Sequence, residues 1–138
     1  MNFVLDASVA AAWCLGDEDD DYSVAALRSL SGGGVVVPHL WGLEMANVAE
    51  RRGRISGEDV NQACANLLSL PIAVDPVARD RALSTVLQLA RAHGLTPYDA
   101  AYLELAMRYD LPVATRDGAL VIAAESEGVA RWKPEEAP

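Results

Sequence analysis

Cysteine, lysine and phenylalanine are scarce in this 138-residue chain: it has two cysteines, Cys14 and Cys64, one lysine, Lys133, and one phenylalanine, Phe3. Two cysteines without C-x-x-C spacing exclude a paired-thiol zinc site and a secreted disulfide framework, so both are expected as reduced thiols in the core. Positive charge is scarce too. Lysine and arginine together number 11 against 20 acids, a net charge of −9, which excludes a surface built for broad attachment to nucleic acid or anionic lipid. Any polyanion has to be met locally. No stretch reaches transmembrane length, and the opening "MNFVLDASVAAAWC" lacks a basic leader and carries Asp6 where a signal peptide needs an unbroken apolar run. The expectation is a soluble cytoplasmic protein with no membrane attachment.

What the chain does have is 51% apolar residues, enough for a core of its own. "NFVLD" (2–6) predicts a strand feeding directly into a helix over 7–15, and the acidic "DEDDD" (17–21) leads into a second helix ending at Gly32. A strand is predicted at 35–38, a helix over 39–53 with a glycine stop, a further helix over 56–70 and a short strand at 72–74. A long helix then starts at Pro76, and an amphipathic helix follows over 96–110. A strand at 111–115, a helix over 117–128 and a last strand at 129–132 complete the order. Short apolar strands alternating with helices define an α/β domain with a largely parallel sheet, occupying residues 1–133 and followed by a frayed tail at 134–138.

In such a sheet, ligands bind beyond the carboxyl ends of the strands. Asp6 follows "NFVL" and Asp117 follows "PVAT", so both fall at that edge. Each is equally a good N-cap for the helix after it. Asp99 has the same double reading, because with Thr96 it stands in capping-box spacing and Pro97 occupies the first helical position. Glu44 differs. It sits mid-helix with Leu40, Trp41, Asn47 and Val48 at helical spacing, and it has no base four residues on. Glu50 and Glu104 each have one, Arg54 and Arg108, and read as surface pairs. A buried carboxylate without a partner must be neutralised, paired or bound to a cation. If the helices of Glu44 and Asp99 pack near the edge marked by Asp6 and Asp117, four carboxylates share one cleft and repel one another until a cation enters. An oxygen-only set favours Mg²⁺ or Mn²⁺ over zinc. Ser8 and Thr115 are candidates for hydroxyls that orient these acids, and equally for plain helix caps.

The spaced set "VLDAS", "LWGLEMANVAERR", "TPYDAAYLELA" and "VATRD" resembles the PIN domain, in detail the VapC-type toxins of VapBC toxin–antitoxin pairs, over nearly the whole chain and in the expected order. The resemblance implies a three-layer α/β/α fold around a central, mainly parallel sheet of about five strands, and an endoribonuclease that depends on Mg²⁺ or Mn²⁺. By position, Asp6, Glu44, Asp99 and Asp117 match the family's acidic quartet, and Ser8 and Thr115 match its supporting hydroxyls. Asn47 matches its E-x-x-N position, where a helix-packing amide is the competing reading. It implies also a homodimer, and a VapB-like antitoxin whose basic tail enters the acidic groove. Arg51, Arg52 and Arg54 past Glu44, and Arg116 beside Asp117, are candidate contacts to an RNA backbone. For the first three, arginines complementing a helix end compete with that reading.

Two other functions stay open. A phosphotransfer protein of receiver or haloacid-dehalogenase type also puts acids at strand ends, but a phosphatase of that class needs an aspartate where Ser8 stands, and both types need a lysine near a late strand. A non-catalytic RNA- or protein-binding module of the same fold is the second. The acidic run at 17–21 reads as a solvated charge run, and "SGGG" (31–34) precedes its strand and lacks a P-loop lysine. His39 and His93 lack metal-ligand spacing, and Trp13, Trp41 and Trp132 read as core or interface anchors.

Overall fold

Valine-rich runs with no polar alternation suit strands buried on both faces, and three of the four strands of the computed structural model, which describes residues 1–15, 20–57 and 59–135, are such runs, the edge strand over 72–75 being largely exposed. β1 (Val4–Leu5) feeds α1 (Ala7–Leu15); α2 (Asp21–Ser29) closes in a 3-10 turn at Leu30–Gly32; β2 (Val35–Pro38) feeds α3 (Trp41–Ser56). After α4 (Val60–Leu68) comes β3 (Ile72–Asp75), then a helical run of α5 (Arg79–Arg81), a π-helical segment (Ala82–Val86) and α6 (Leu87–His93). α7 (Pro97–Tyr109), β4 (Val113–Ala114) and α8 (Gly118–Ser126) follow. The strands pair in parallel in the order β3-β2-β1-β4, with Val4 opposite Val36 and Val113, and Pro38 opposite Asp75. This register brings the carboxyl ends of all four strands to one edge. Beyond β4, the predicted strand at 129–132 is a single parallel bridge of Arg131 to Val113, where the Trp132 amide donates to the Val113 carbonyl at 2.8 Å. The described sheet therefore has four strands where about five were expected.

Helices flank this sheet. α1 packs against α2 and α3, and α3 against α4, while α7 lies on β1, β2 and β4 and also touches α6, α8 and the π segment. Phe3, Val4, Leu5, Val35, Val37, Val113 and Ala114 are fully buried in the core between them. β2 and β3 approach so closely that a Cβ on Gly34 would sit 2.8 Å from the Pro71 carbonyl oxygen, so this position needs glycine.

Several expectations change. Helix α7 is not amphipathic, because every residue from Ala100 to Ala106 is buried; its small alanines let the sheet and the other helices close in from different sides. α3 runs through Gly53 to Ser56 and stops instead at Gly57, whose φ of 70° supplies the left-handed cap. The long helix starts at Arg79 rather than Pro76, since Ala78 is still extended, and the Ser84 hydroxyl bonds the Asp80 carbonyl inside its π segment. Cys14 and Cys64 are free as expected but only half-buried. Among the described residues no helix is long and apolar enough to cross a membrane. Positions 17–19 of the acidic run and 136–138 of the expected tail lie outside the described residues.

Candidate active site

Asp6 is the first residue past β1 and is 5% exposed. Its Oδ2 accepts hydrogen bonds from the Ser8 hydroxyl at 2.6 Å and the Thr115 hydroxyl at 2.8 Å. Thr115, fully buried just past β4, in turn accepts from the Asp117 amide at 3.0 Å, and Ser8 accepts from the Arg116 amide at 3.0 Å. The two hydroxyls thus tie the end of β1 to the end of β4 while orienting the Asp6 carboxylate, so the orienting and capping readings coexist. Asp117 is the N-cap of α8, its carboxylate accepting from the Ala119 amide at 3.0 Å.

Asp99 stands in the first turn of α7, where Thr96 caps the helix by accepting from the Asp99 amide at 3.1 Å. Glu44 stands in the first turn of α3 and is half-buried. It does have a partner: the Tyr102 hydroxyl, from α7, donates to its Oε1 at 2.5 Å. Sequence reasoning missed Tyr102, although its position one turn after Asp99 puts it on that acid's side of α7.

The electrostatics link the four acids. Burial pushes the Asp6 carboxyl up, its hydroxyl partners pull it back, and the charge on Asp99 pushes it up further. Burial likewise raises Glu44, against the pull of Tyr102 and with added repulsion from Asp6 and Asp99. Asp99 is raised by burial and then by Asp117. These mutual repulsions run from Glu44 through Asp6 and Asp99 to Asp117. A common negative cleft at the carboxyl edge of the sheet accounts for them.

An all-oxygen donor set under mutual repulsion fits a hard divalent cation. Among the described residues no three acidic, histidine or cysteine side chains already enclose such an ion.

The remaining candidates lie around this cleft. Asn47 is exposed one turn beyond Glu44, so it is no packing amide. Arg51, Arg52 and Arg54 sit in the last turns of α3, about 10–15 Å along its axis from Glu44 by helical rise, and Arg54 pairs with Glu50 at 2.6 Å on the surface. Arg116 pairs with Asp20 at 2.7 Å. Asp20 is no merely solvated charge: it caps α2, and the Ser23 hydroxyl bonded to it holds its carboxyl below the usual range. Glu104 is also corrected. It is 2% exposed and shares Arg108 with Asp75 from β3. Trp41 and Trp132 anchor the core, Trp132 against Phe3, as expected.

Fold and site together define an α/β domain with a hydroxyl-braced acidic cleft at the carboxyl edge of a parallel sheet. The family model described as the PIN domain matches residues 3–125, and the chain belongs to that family, whose members are typically nucleases. Among solved structures, PAE2754 from Pyrobaculum aerophilum is 25% identical, with a TM-score of 0.68 over 89% of this chain and 79% of that one. FitAcB from Neisseria gonorrhoeae is 22% identical with a TM-score of 0.56 over 96% and 97% of the two chains, a likeness of fold. No curated protein matches the chain.

Proposed function

We propose that this protein is an endoribonuclease dependent on Mg²⁺ or Mn²⁺, acting in the cytoplasm as the VapC-type toxin of a toxin–antitoxin pair. The observation that carries the reading is geometric: Ser8 and Thr115 tie Asp6 to the turn carrying Asp117 at one strand edge, and Tyr102, three residues after Asp99 on α7, holds Glu44. Membership of the PIN family and the motif resemblance support it.

In this reading Asp6, Asp99 and Asp117 hold the cation and Glu44 orients it or the attacking water. Bound there, the cation supplies Lewis acidity, making water a better nucleophile and offsetting charge that develops on the phosphate and the departing 3′ oxygen. The chain's own residues do the rest. Ser8 and Thr115 keep the Asp6 carboxylate from rotating away, and the Ala119 amide of α8 holds the Asp117 carboxylate at the helix start. RNA is gripped locally by Arg116, with Arg51, Arg52 and Arg54 as more distant contacts and Asn47 beside the cleft. An acidic cleft of this kind also suits the basic tail of a VapB-like antitoxin, and exposed Leu43, Leu83 and Tyr98 offer apolar surface to a second copy in a homodimer.

The test is cleavage of structured RNA by the purified chain with Mn²⁺. Asp6→Asn and Asp99→Asn should each abolish cleavage while circular dichroism stays native. Undiminished cleavage by both variants would overturn the assignment.

A further inference from the structure

Glu44 is the one acid of the quartet that stands on α3, and its route to the cleft depends on a residue of another helix. The Tyr102 hydroxyl donates to Glu44 Oε1 at 2.5 Å, across 58 residues of sequence, which is the short range of a charge-assisted O–H···O⁻ bond. The ring is fully buried in the middle of α7, where Ala101, Leu103 and Leu105 are buried as well, so it has no room to change rotamer. α7 also lies on β1, whose last residue, Leu5, precedes Asp6. Asp99 is three residues earlier on α7 and therefore on the same side of the helix. Tyr102 thus links Glu44 to the helix that carries Asp99 and packs on the strand leading to Asp6.

We propose that Tyr102 is a positioning residue of the acidic site: by engaging Oε1 of Glu44 it fixes the carboxylate in the orientation in which the quartet would hold a cation. This inference rests on the metal-dependent reading above. Two facts distinguish it from a packing role. A ring placed only to fill space has no need of a hydroxyl, and the hydroxyl points at an acid rather than at a backbone carbonyl. Partners of this kind set ligand orientation, and their loss typically costs about 10–100-fold in metal affinity or activity.

The test uses the full chain and Mn²⁺ itself, with affinity read by calorimetry in the absence of RNA and cleavage read separately. Tyr102→Phe keeps the ring and removes the donor. It should weaken Mn²⁺ binding about tenfold and lower kcat about tenfold with KM for RNA unchanged. In a Glu44→Gln background the same substitution should change Mn²⁺ affinity less than twofold, because the route through Glu44 is already gone. A packing role predicts equal losses in both backgrounds, and that result would overturn the proposal, as would wild-type affinity in Tyr102→Phe. Tyr102→4-aminophenylalanine, which keeps a donor at the para position, should restore binding to within twofold; if Tyr102→Phe fails to fold, this variant decides, since wild-type folding with tenfold weaker binding would count against the proposal. A wild-type chain that binds no Mn²⁺ sinks the nuclease reading itself, a separate outcome.

Discussion

Replacing Arg108 by methionine removes a guanidinium that holds two buried acids at once. Its Nη2 lies 2.6 Å from Asp75 Oδ2 and its Nε 2.9 Å from Glu104 Oε1, while Asp75 and Glu104 are only 8% and 2% exposed. Breaking a buried pair by deleting one partner costs about 3–5 kcal/mol. Two features move this case to the lower end: the Arg108 side chain is 22% exposed, and Arg81 remains 3.2 Å from Glu104. The expected loss is therefore about 3 kcal/mol, or roughly 10 °C in melting temperature for a domain of this size. The pH dependence has a definite sign. The Arg108 hydrogen bonds hold the Asp75 carboxyl below its usual value of 3.8, so their stabilisation is complete above that value and fades as pH falls through the lower folded one. In the variant, a buried Asp75 that keeps only the Tyr109 hydroxyl at 2.8 Å and has lost its charged partner takes up its proton at higher pH, and acidification relieves the cost. Urea unfolding of both proteins should show a gap of about 3 kcal/mol at pH 7 that narrows toward pH 4. A gap below about 1 kcal/mol at pH 7, or one that does not narrow, would refute the pairing as argued.

Neutralising an acid of the cleft should have the opposite effect on stability. Asp6, Glu44 and Asp99 are raised in the fold, so their charged forms weaken it above the folded values and cease to do so as pH falls. Asp99→Asn should then stabilise the metal-free protein at pH 7.5 by about 0.5–2 kcal/mol in thermal melts, with the gain shrinking on acidification, even as cleavage is lost. Thr115→Val, at a fully buried position, leaves the Asp117 amide without its hydroxyl acceptor and takes one of two donors from Asp6 Oδ2, which keeps Ser8. It should cost about 1–3 kcal/mol in denaturant unfolding and lower Mn²⁺-dependent cleavage at least tenfold, while Thr115→Ser keeps both properties near wild type.

The two strand-end acids were legible because the signal is local: an apolar run ends, an acid follows, a helix begins, and the parallel register then brings Asp6 and Asp117 to one edge. Glu44 was legible through a missing base at i+4. The same spacing rule misled at Glu104. It correctly paired that residue with Arg108, but i,i+4 spacing describes a helix's own surface and says nothing about what covers it; here Ala100–Ala106 are buried on every side. Asp75 pairs with Arg108 across 33 residues and Glu44 with Tyr102 across 58, distances over which no periodicity reports. The π segment was hidden for a related reason, since its residues have ordinary helical spacing and the extra residue per turn is absorbed within the run.

Helix α7 carries both of the acid clusters, and the contrast between them bears on function. Toward its C-terminal end, Glu104 and Asp75 are matched by Arg81 and Arg108, so that buried charge is balanced inside the fold. Toward its N-terminus, Asp99 joins Asp6, Glu44 and Asp117, and the donors described for these four are hydroxyls and backbone amides, which orient a carboxylate without cancelling its charge. Among the described residues the acids at one end of the helix are matched by arginine, while at the other the donors named are uncharged, and Arg116, the nearest arginine in sequence, pairs with Asp20. In the metal-dependent reading proposed above, that asymmetry has a reason, because a resident guanidinium would occupy the position the ion has to take.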